Sequence, residues 1–497
     1  MAVKPSGQEP FISKSKFLSG LQCHKLLWHA FNAKDLIPEP NAATAAIFQQ
    51  GHEVGALAQQ MFLDGVEIGG GIYDYDETSR LTQKALKLRK PLFEAAFVAN
   101  GGFCRVDILQ PAPQGAWDII EVKTTTSLKD VQLENLGFQV WVLAMAGLKI
   151  RRCFLCHINP DFVRQGEINP KKFFVLEDVT DRAANLGQIV EDKLDDMFKT
   201  IRQRQPPDIK IGPHCDDPYP CALHDVCWKF LPKHSVLDLY RGTQKGFALF
   251  DQGITLLKHI PGDIKLTDNQ AIQRATAVTG KPRINKQAIS KFLGRLEYPL
   301  HFLDFETIGT AIPLFDGVRP YQQVPFQFSL HIVRAPGAKP QHVMFLAEGR
   351  HDPRPEFMLK LRDNIGHTGS IVAFNAAFEL ERLRECCEVM PNFSTWLKDI
   401  EGRVVDLLDP FRSFDYYHPD QQGSASMKAV LPALTGKGYE GLAIQEGGMA
   451  SREFLRVTFG DVPEAERQQV RKHLEEYCGQ DTEGMIWIVE ALRKLAG

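Results

Sequence analysis

The 497-residue sequence predicts an α/β protein made of two different α/β domains joined by a helical connector. Three observations predict it. The chain is too long for one hydrophobic core, since single cores stop growing at about 250–300 residues. Between residues 92 and 158 the apolar pattern switches from helical spacing to short β-type runs. A second α/β pattern begins at Tyr298, after a helical, short-looped stretch over residues 235–297. The expected domains are residues 1–232, a connector over 233–297, and residues 298–497.

Ser13 is a candidate cap for a first helix, along which Phe17, Leu21 and Leu26 recur at helical spacing. A second helix is expected over residues 42–62, where Gly51, Gly55 and Ala58 suit close packing. Strands are expected at 93–97, 103–109 and 117–123, with a turn over 111–115. A helix over 129–146 and a strand over 152–158 follow. Residues 206–220 read as a loop containing Pro and Cys. Residues 249–260 resemble the helical hairpins of DNA-processing proteins, but a plain connector of helices is the preferred reading. The second α/β region predicts strands at 300–305, 325–333, 342–346, 370–374 and 403–408. Its helices are expected over 352–365, from 377, and across 463–496. The absence of a Walker-type phosphate loop argues against an ATP-driven helicase within the chain.

A net charge of -3 gives no global positive field, yet a local basic groove suffices for a polyanion. No apolar run approaches the roughly 18 residues that span a bilayer. Residues 1–10 are polar and lack the apolar core of a signal peptide. The expectation is a cytoplasmic protein with no membrane association. Ten cysteines in a reducing compartment do not read as a disulfide framework, so clustered ones are weighed first as metal ligands.

Asp107 lies on one expected strand, and Glu121 and Lys123 lie two apart on the next, so both of these point to one face. Two carboxylates and an ammonium converging on one spot suit phosphodiester hydrolysis with Mg²⁺ or Mn²⁺. The plain alternative for an isolated Glu-X-Lys is a surface salt bridge. In the second region, Asp304 and Glu306 share one face of a buried strand. Asn375 and Glu379 fall at a strand-to-helix junction, and Tyr477 and Asp481 share a helix face. Carboxylates on a buried strand are costly unless they bind something. Shared metal ions are the usual solution for phosphoryl displacement. Asp406 is a further candidate ligand.

Cys215, Cys221 and Cys227 are evenly spaced after the first region, and Cys23 stands far upstream. Buried inert thiols are the plain reading, but Pro218, Pro220 and polar neighbours oppose burial in a core. Cys153 and Cys156, on an expected strand, read as structural thiols.

In order, Glu94, Asp107 within CRVDILQ, Glu121 and Lys123 within DIIEVKTTT, and Gln139 resemble the RecB-like branch of the PD-(D/E)XK nucleases. The resemblance implies a restriction-endonuclease-like mixed sheet flanked by helices. It also implies catalytic roles for Asp107, Glu121 and Lys123, and substrate contacts from Glu94 and Gln139. It further implies a metal-binding histidine, for which His52 is the candidate and Gly55 an alternative occupant of that place. One early cysteine and three late ones bracketing such a core resemble the iron–sulfur nucleases. These include the CRISPR-associated RecB-like exonucleases and the AddB-type nuclease domain. That likeness implies a [4Fe–4S] cluster on Cys23, Cys215, Cys221 and Cys227, with Zn²⁺ as the alternative.

HFLDFETIG, IVAFNAAFELERL and EEYCGQDTEGM resemble the DnaQ-type, RNase H-like exonucleases, in the version with a tyrosine near the last aspartate. The departure is Glu379, where that pattern usually has Asp. The likeness implies Asp304, Glu306, Glu379, Tyr477 and Asp481 as catalytic, the metal held by Asp304, Glu306 and Asp481. Asn375 and Lys428 would meet the substrate, although Lys428 reads equally well as a solvated lysine. The order of parts resembles a bacterial family whose C-terminal half has been catalogued as a domain of unknown function. The expected activity is a metal-dependent DNA exonuclease acting on single strands or duplex ends. An RNA-processing exonuclease is the alternative. So is a nucleic-acid-binding scaffold with an inactive RNase H-like domain. The sequence specifies no protein partner.

Overall fold

The short apolar runs of 92–123 form antiparallel strands, whose pleat sends neighbouring side chains to opposite faces while the backbone pairs sideways. In the computed structural model, which describes residues 10–69 and 74–497, they are the centre of a seven-stranded mixed sheet. Its strands are β1 (Ile12–Ser13), β2 (Val66–Glu67), β3 (Leu92–Ala99), β4 (Gly102–Pro111), β5 (Trp117–Lys123), β6 (Ile150–Ile158) and β7 (Phe174–Asp178). The order is β2-β3-β4-β5-β6-β7, with β1 alongside β4. β3, β4 and β5 run antiparallel, whereas β5 and β6 are parallel across the helix Asp130–Met145. Of the polar stretch 1–10, only Pro10 falls within the described residues.

Two apolar clusters cover this sheet. One joins Phe17 and Leu27 from the first helices to Phe138, Trp141, Leu194 and Ile119. The other joins Val54 and Ala58 of the helix Ala42–Gln59 to Phe93, Ile108, Ile120 and Phe173. Neighbouring Ile119 and Ile120 enter different clusters, as the pleat requires.

The expected first helix is in fact two, Lys14–Gln22 and His24–Asn32. Ser13 does cap the first, but Cys23 is extended (φ -161°, ψ 117°) and breaks the helical run, so Leu26 belongs to the second helix. Residues 60–62 fall outside the helix Ala42–Gln59. The helix Tyr75–Leu86, strand β7 and the helix Gly187–Ile201 were not anticipated.

The chain divides into two compact units. One comprises Met1–Phe230 with Thr310–Tyr321, the other Leu231–Gly309 with Gln322–Gly497. The helical stretch 233–297 therefore clusters with the second unit. The segment Thr310–Tyr321 clusters with the first, where Arg164 donates to the carbonyls of Pro313 (2.7 Å) and Leu314 (2.9 Å).

In unit 2, β8 (Arg283–Ile284) precedes the main sheet strands β9 (Leu300–Ile308), β10 (Val324–Val333), β11 (Gln341–Leu346), β12 (Ile371–Ala373) and β13 (Val404–Asp406). Their order is β11-β10-β9-β12-β13. β9, β10 and β11 are antiparallel, and β12 and β13 run parallel to β9. β8, which lies inside the stretch expected to be helical, pairs instead with β14 (Tyr416–Tyr417). Over 249–260 the helix Thr243–Asp251 stops and a single 3₁₀ turn, Leu257–His259, follows, in keeping with the preferred reading as a connector and not a helical hairpin. The expected last helices are one helix, Glu464–Ala496. Val470, Leu474, Tyr477, Cys478, Asp481, Met485, Ile488 and Leu492 form its buried stripe. Gly484 sits inside it because a Cβ there would lie 2.7 Å from Met427 Cε. Among the described residues, no helix is long and apolar enough to cross a membrane.

Gly369 tests the packing at the start of β9. Its φ is +83°, and an added Cβ would lie 2.0 Å from the Pro299 carbonyl oxygen. Gly369→Ala is expected to destabilise unit 2 by more than about 1 kcal/mol, read as a lowered denaturation midpoint.

Candidate functional site

The pleat of β9 points Asp304 and Glu306 to one face, and i,i+4 spacing on the last helix points Tyr477 and Asp481 to one face. Packing of that helix on the sheet brings the two sets together. Ligand atoms of Asp304, Glu306 and Asp481 all lie within 4.8 Å of one another. Glu306 and Asp481 are only 6% and 7% exposed, so water screens this concentration of like charge poorly. Burial, then the neighbouring carboxylates, push Asp304 and Glu306 well above the usual carboxylate range. Burial likewise lifts Asp481 to about 6, against hydrogen bonds from Tyr439 and Tyr477 and the charge of Lys428.

Glu379 lies on the helix Ala376–Val389 and lines the same cavity of about 1080 Å³, as do Asn375, Lys428, Tyr477 and the three clustered carboxylates. It is not one of the three clustered carboxylates. Its Oε2 is buried without a hydrogen-bond partner, and burial, followed by Asp406, holds its carboxyl at about 8. Asn375 begins that helix in the left-handed region (φ 76°), which Asn tolerates better than most residues. Asp406 accepts from the backbone N–H of Asn375 (2.9 Å) and Leu408 (3.0 Å), so it shapes this junction. Sequence reasoning missed Tyr439, whose hydroxyl donates to Asp481, and Tyr240, Arg241 and Arg412, which line the cavity. These come from separated segments and carry no local motif.

In unit 1, Asp107 on β4 accepts from the backbone N–H of Val122 on β5 through Oδ2 (2.7 Å). Glu121 is fully buried. Its Oε1 accepts from Lys123 Nζ at 2.6 Å, and its Oε2 from Gln139 Nε2 at 2.7 Å. Burial raises the Glu121 carboxyl, but Lys123, Lys14 and Gln139 more than offset this and hold it at about 2. Asp107 moves up instead, through burial and then Glu121. Glu94 falls opposite Asp107 in the β3–β4 register and has a left-handed backbone (φ 56°). Burial and Asp107 lift it to about 7. Asp107, Glu121, Lys123, Gln139 and Glu94 are thus brought together. His52 is exposed on the helix Ala42–Gln59, and among the described residues no hydrogen bond or ion pair joins it to Asp107 or Glu121. Lys14 was not foreseen in this site.

Cys23, Cys215, Cys221 and Cys227 line one small pocket with His214 and His224. None is in a disulfide. Cys23 sits at the break between the first two helices, and the Cys221 N–H donates to the Cys215 carbonyl at 2.7 Å. Burial first, and then the other thiols of the group, raise Cys23 and Cys221. Cys153 and Cys156 are buried on β6, apart from this pocket.

A family described as a domain of unknown function, DUF2779, matches residues 301–426, which include Asp304, Glu306 and Glu379 but not Asp481. The chain is similar to the uncharacterized protein MG366 of Mycoplasma genitalium, with 27% identity over 39% of this chain and 32% of that protein. It is also similar to the uncharacterized protein UU173 of Ureaplasma parvum, with 25% identity over 42% of this chain and 33% of that protein. The matches therefore span about a third of the length of these curated relatives. A crystal structure of SSO0001 aligns over 46% of this chain and 90% of that one, at 14% identity and a TM-score of 0.24.

The raised carboxyls set a pH dependence. Folded Glu379 and Asp481, at about 8 and about 6, bind protons that the unfolded chain has already released. Their contribution is therefore greatest below the ordinary carboxylate range, about 4, and declines as pH rises toward about 8. In EDTA, melting temperature is expected to fall from about pH 5 to about pH 8, with Glu379→Gln flattening the upper part of the fall. A melting temperature that rises across this window would contradict the reading.

Proposed function

We propose that this chain is a metal-dependent nuclease that hydrolyses phosphodiester bonds of DNA, acting as an exonuclease on single strands or duplex ends. One observation carries the proposal. Asp304, half-buried, and Glu306 and Asp481, both buried, converge at a large cavity. Such a group has its charge satisfied by cations. The mixed sheet, with three antiparallel strands and two parallel to the first, supports an RNase H-like, DnaQ-type reading of unit 2. The mixed sheet of unit 1 flanked by helices, with Asp107, Glu121 and Lys123 in contact range, supports a PD-(D/E)XK reading.

Asp304, Glu306 and Asp481 would hold Mg²⁺ or Mn²⁺, which when bound supplies Lewis acidity to the phosphate and lowers the pKa of an attacking water. Tyr439 and Tyr477 fix the orientation of Asp481 through its oxygens. Lys428 brings positive charge to the same cavity, where a phosphate would enter. Glu379 lines the same cavity with a buried, unpartnered oxygen, although it is longer than the usual Asp. In unit 1, Asp107 and Glu121 would hold the ion, Gln139 locks the Glu121 rotamer, and Lys123 places its charge where a phosphate oxyanion would develop.

The four cysteines suit a metal group because thiolates converge on one pocket outside the cores. Four thiols around one pocket are the donor set of a [4Fe–4S] cluster, and a single Zn²⁺ would use the same ligands.

End-labelled single-stranded DNA and RNA, digested with Mn²⁺ and no ATP, test the activity. Asp304→Ala/Glu306→Ala is expected to remove one degradation polarity, and Glu121→Ala/Lys123→Ala the remaining cleavage. Cleavage unchanged in both variants would overturn the proposal, and cleavage of RNA alone would replace its substrate. Anaerobically purified protein should be brown and contain iron, and Cys221→Ala should lower the melting of unit 1. Colourless protein with stoichiometric zinc would remove the cluster.

A further inference from the structure

Unit 1 holds a cation in its acidic site that no local motif announces. Lys14 Nζ lies 3.0 Å from Glu121 Oε1 and 3.7 Å from Asp107 Oδ1. The opposite oxygens are already engaged, Glu121 Oε2 by Gln139 and Asp107 Oδ2 by the Val122 N–H. Lys14 therefore bridges the two carboxylates through the oxygens that neither Gln139 nor the Val122 N–H engages. Lys123 adds a second ammonium to Glu121 Oε1, but from its own strand.

The place of Lys14 is built, because both ends of its helix are fixed. Ser13 caps the helix and pairs with Phe103 on β4, the strand that carries Asp107. Phe17, one turn on, is 2% exposed and stacks on Phe138 with ring centroids 4.7 Å apart. The helix ends at Gln22, and the next residue, Cys23, lines the cysteine pocket.

A divalent ion bonded to Asp107 Oδ1 and Glu121 Oε1 needs oxygens at about 2.0–2.2 Å. An ammonium bridging the same oxygens leaves no room for it, and two cations at that separation repel strongly where water is excluded. We propose that Lys14 is a positioning residue that occupies the divalent-cation place between Asp107 and Glu121 and competes with the metal for it. Lys14 keeps the acidic pair folded and charge-balanced before loading, and it sets how much free metal the site requires. This rests on the reading of Asp107 and Glu121 as a metal pair.

The test measures Mn²⁺ affinity by the electron paramagnetic resonance of free Mn²⁺ at pH 8. It uses the full chain carrying Asp304→Ala/Glu306→Ala to weaken the other site. Lys14→Met is expected to tighten Mn²⁺ binding about tenfold, because a competing charge is gone. Lys14→Arg should leave the affinity close to that of Lys14. Adding Glu121→Gln should abolish the tightened binding and so assign it to this site. Thermal melts in EDTA establish folding, and Lys14→Gln, with the same expected direction, serves if Lys14→Met does not fold. Equal or weaker Mn²⁺ binding without the lysine would overturn the competition and leave the metal reading standing. No binding sensitive to Glu121→Gln in any of the proteins would overturn both.

Discussion

The crowding of buried carboxylates is the constraint on which the rest of unit 2 depends. Asp304, Glu306 and Asp481 stand within 4.8 Å of one another in a setting that disfavours even one of them charged. Such an arrangement persists only where the surrounding fold over-determines it. β9 is central in its sheet, and the 33-residue helix Glu464–Ala496 packs along it with an unbroken buried stripe. Phe326 on β10 stacks on Phe454 at 3.9 Å between centroids, which adds to the core that holds the strands in place. Rigid strands and a long helix hold the carboxylates closer than flexible loops would leave them.

Unit 1 meets the same problem in a different way. Its buried Glu121 is surrounded by donors, two ammonium groups and an amide, and so stays ionised. Asp107 is held by a backbone N–H and by the nearby Lys14. One site therefore carries its own counter-charge and stays ionised, whereas crowding and burial in the other raise its carboxyls toward the protonated form. On the proposed reading, the two would differ in how strongly they demand metal, although both serve phosphodiester chemistry.

The cysteine pocket and the acidic site of unit 1 are joined by a short piece of chain. Lys14 begins and Cys23 directly follows one helix of nine residues, and its buried face packs on the core beneath the sheet. A metal group on the four thiolates would hold this helix at one end as β1 does at the other. The cysteines would then support the acidic site without belonging to it, by fixing the element that delivers Lys14.

The sequence by itself determined the elements and the local chemistry. Short apolar runs bounded by turn residues located β3 to β6 and β9 to β13 to within a few residues, because a strand in a covered sheet buries most of its side chains. Spacing along one strand or helix paired Glu121 with Lys123, Asp304 with Glu306, and Tyr477 with Asp481. Only the tertiary structure decided what those pairs meet. Lys14 enters the first site from 107 residues away, and the Tyr439 hydroxyl meets Asp481 from 42 residues away. Thr310–Tyr321 leaves the second region to complete the core of the first unit, where Ala311 joins Ile108 and Ile120. His52 sits on a correctly expected helix but faces solvent, since periodicity fixes a face only relative to its neighbours. Local periodicity records how each segment buries its own apolar side. Contacts between distant segments depend on how those faces stack, and no stretch of sequence encodes that alone.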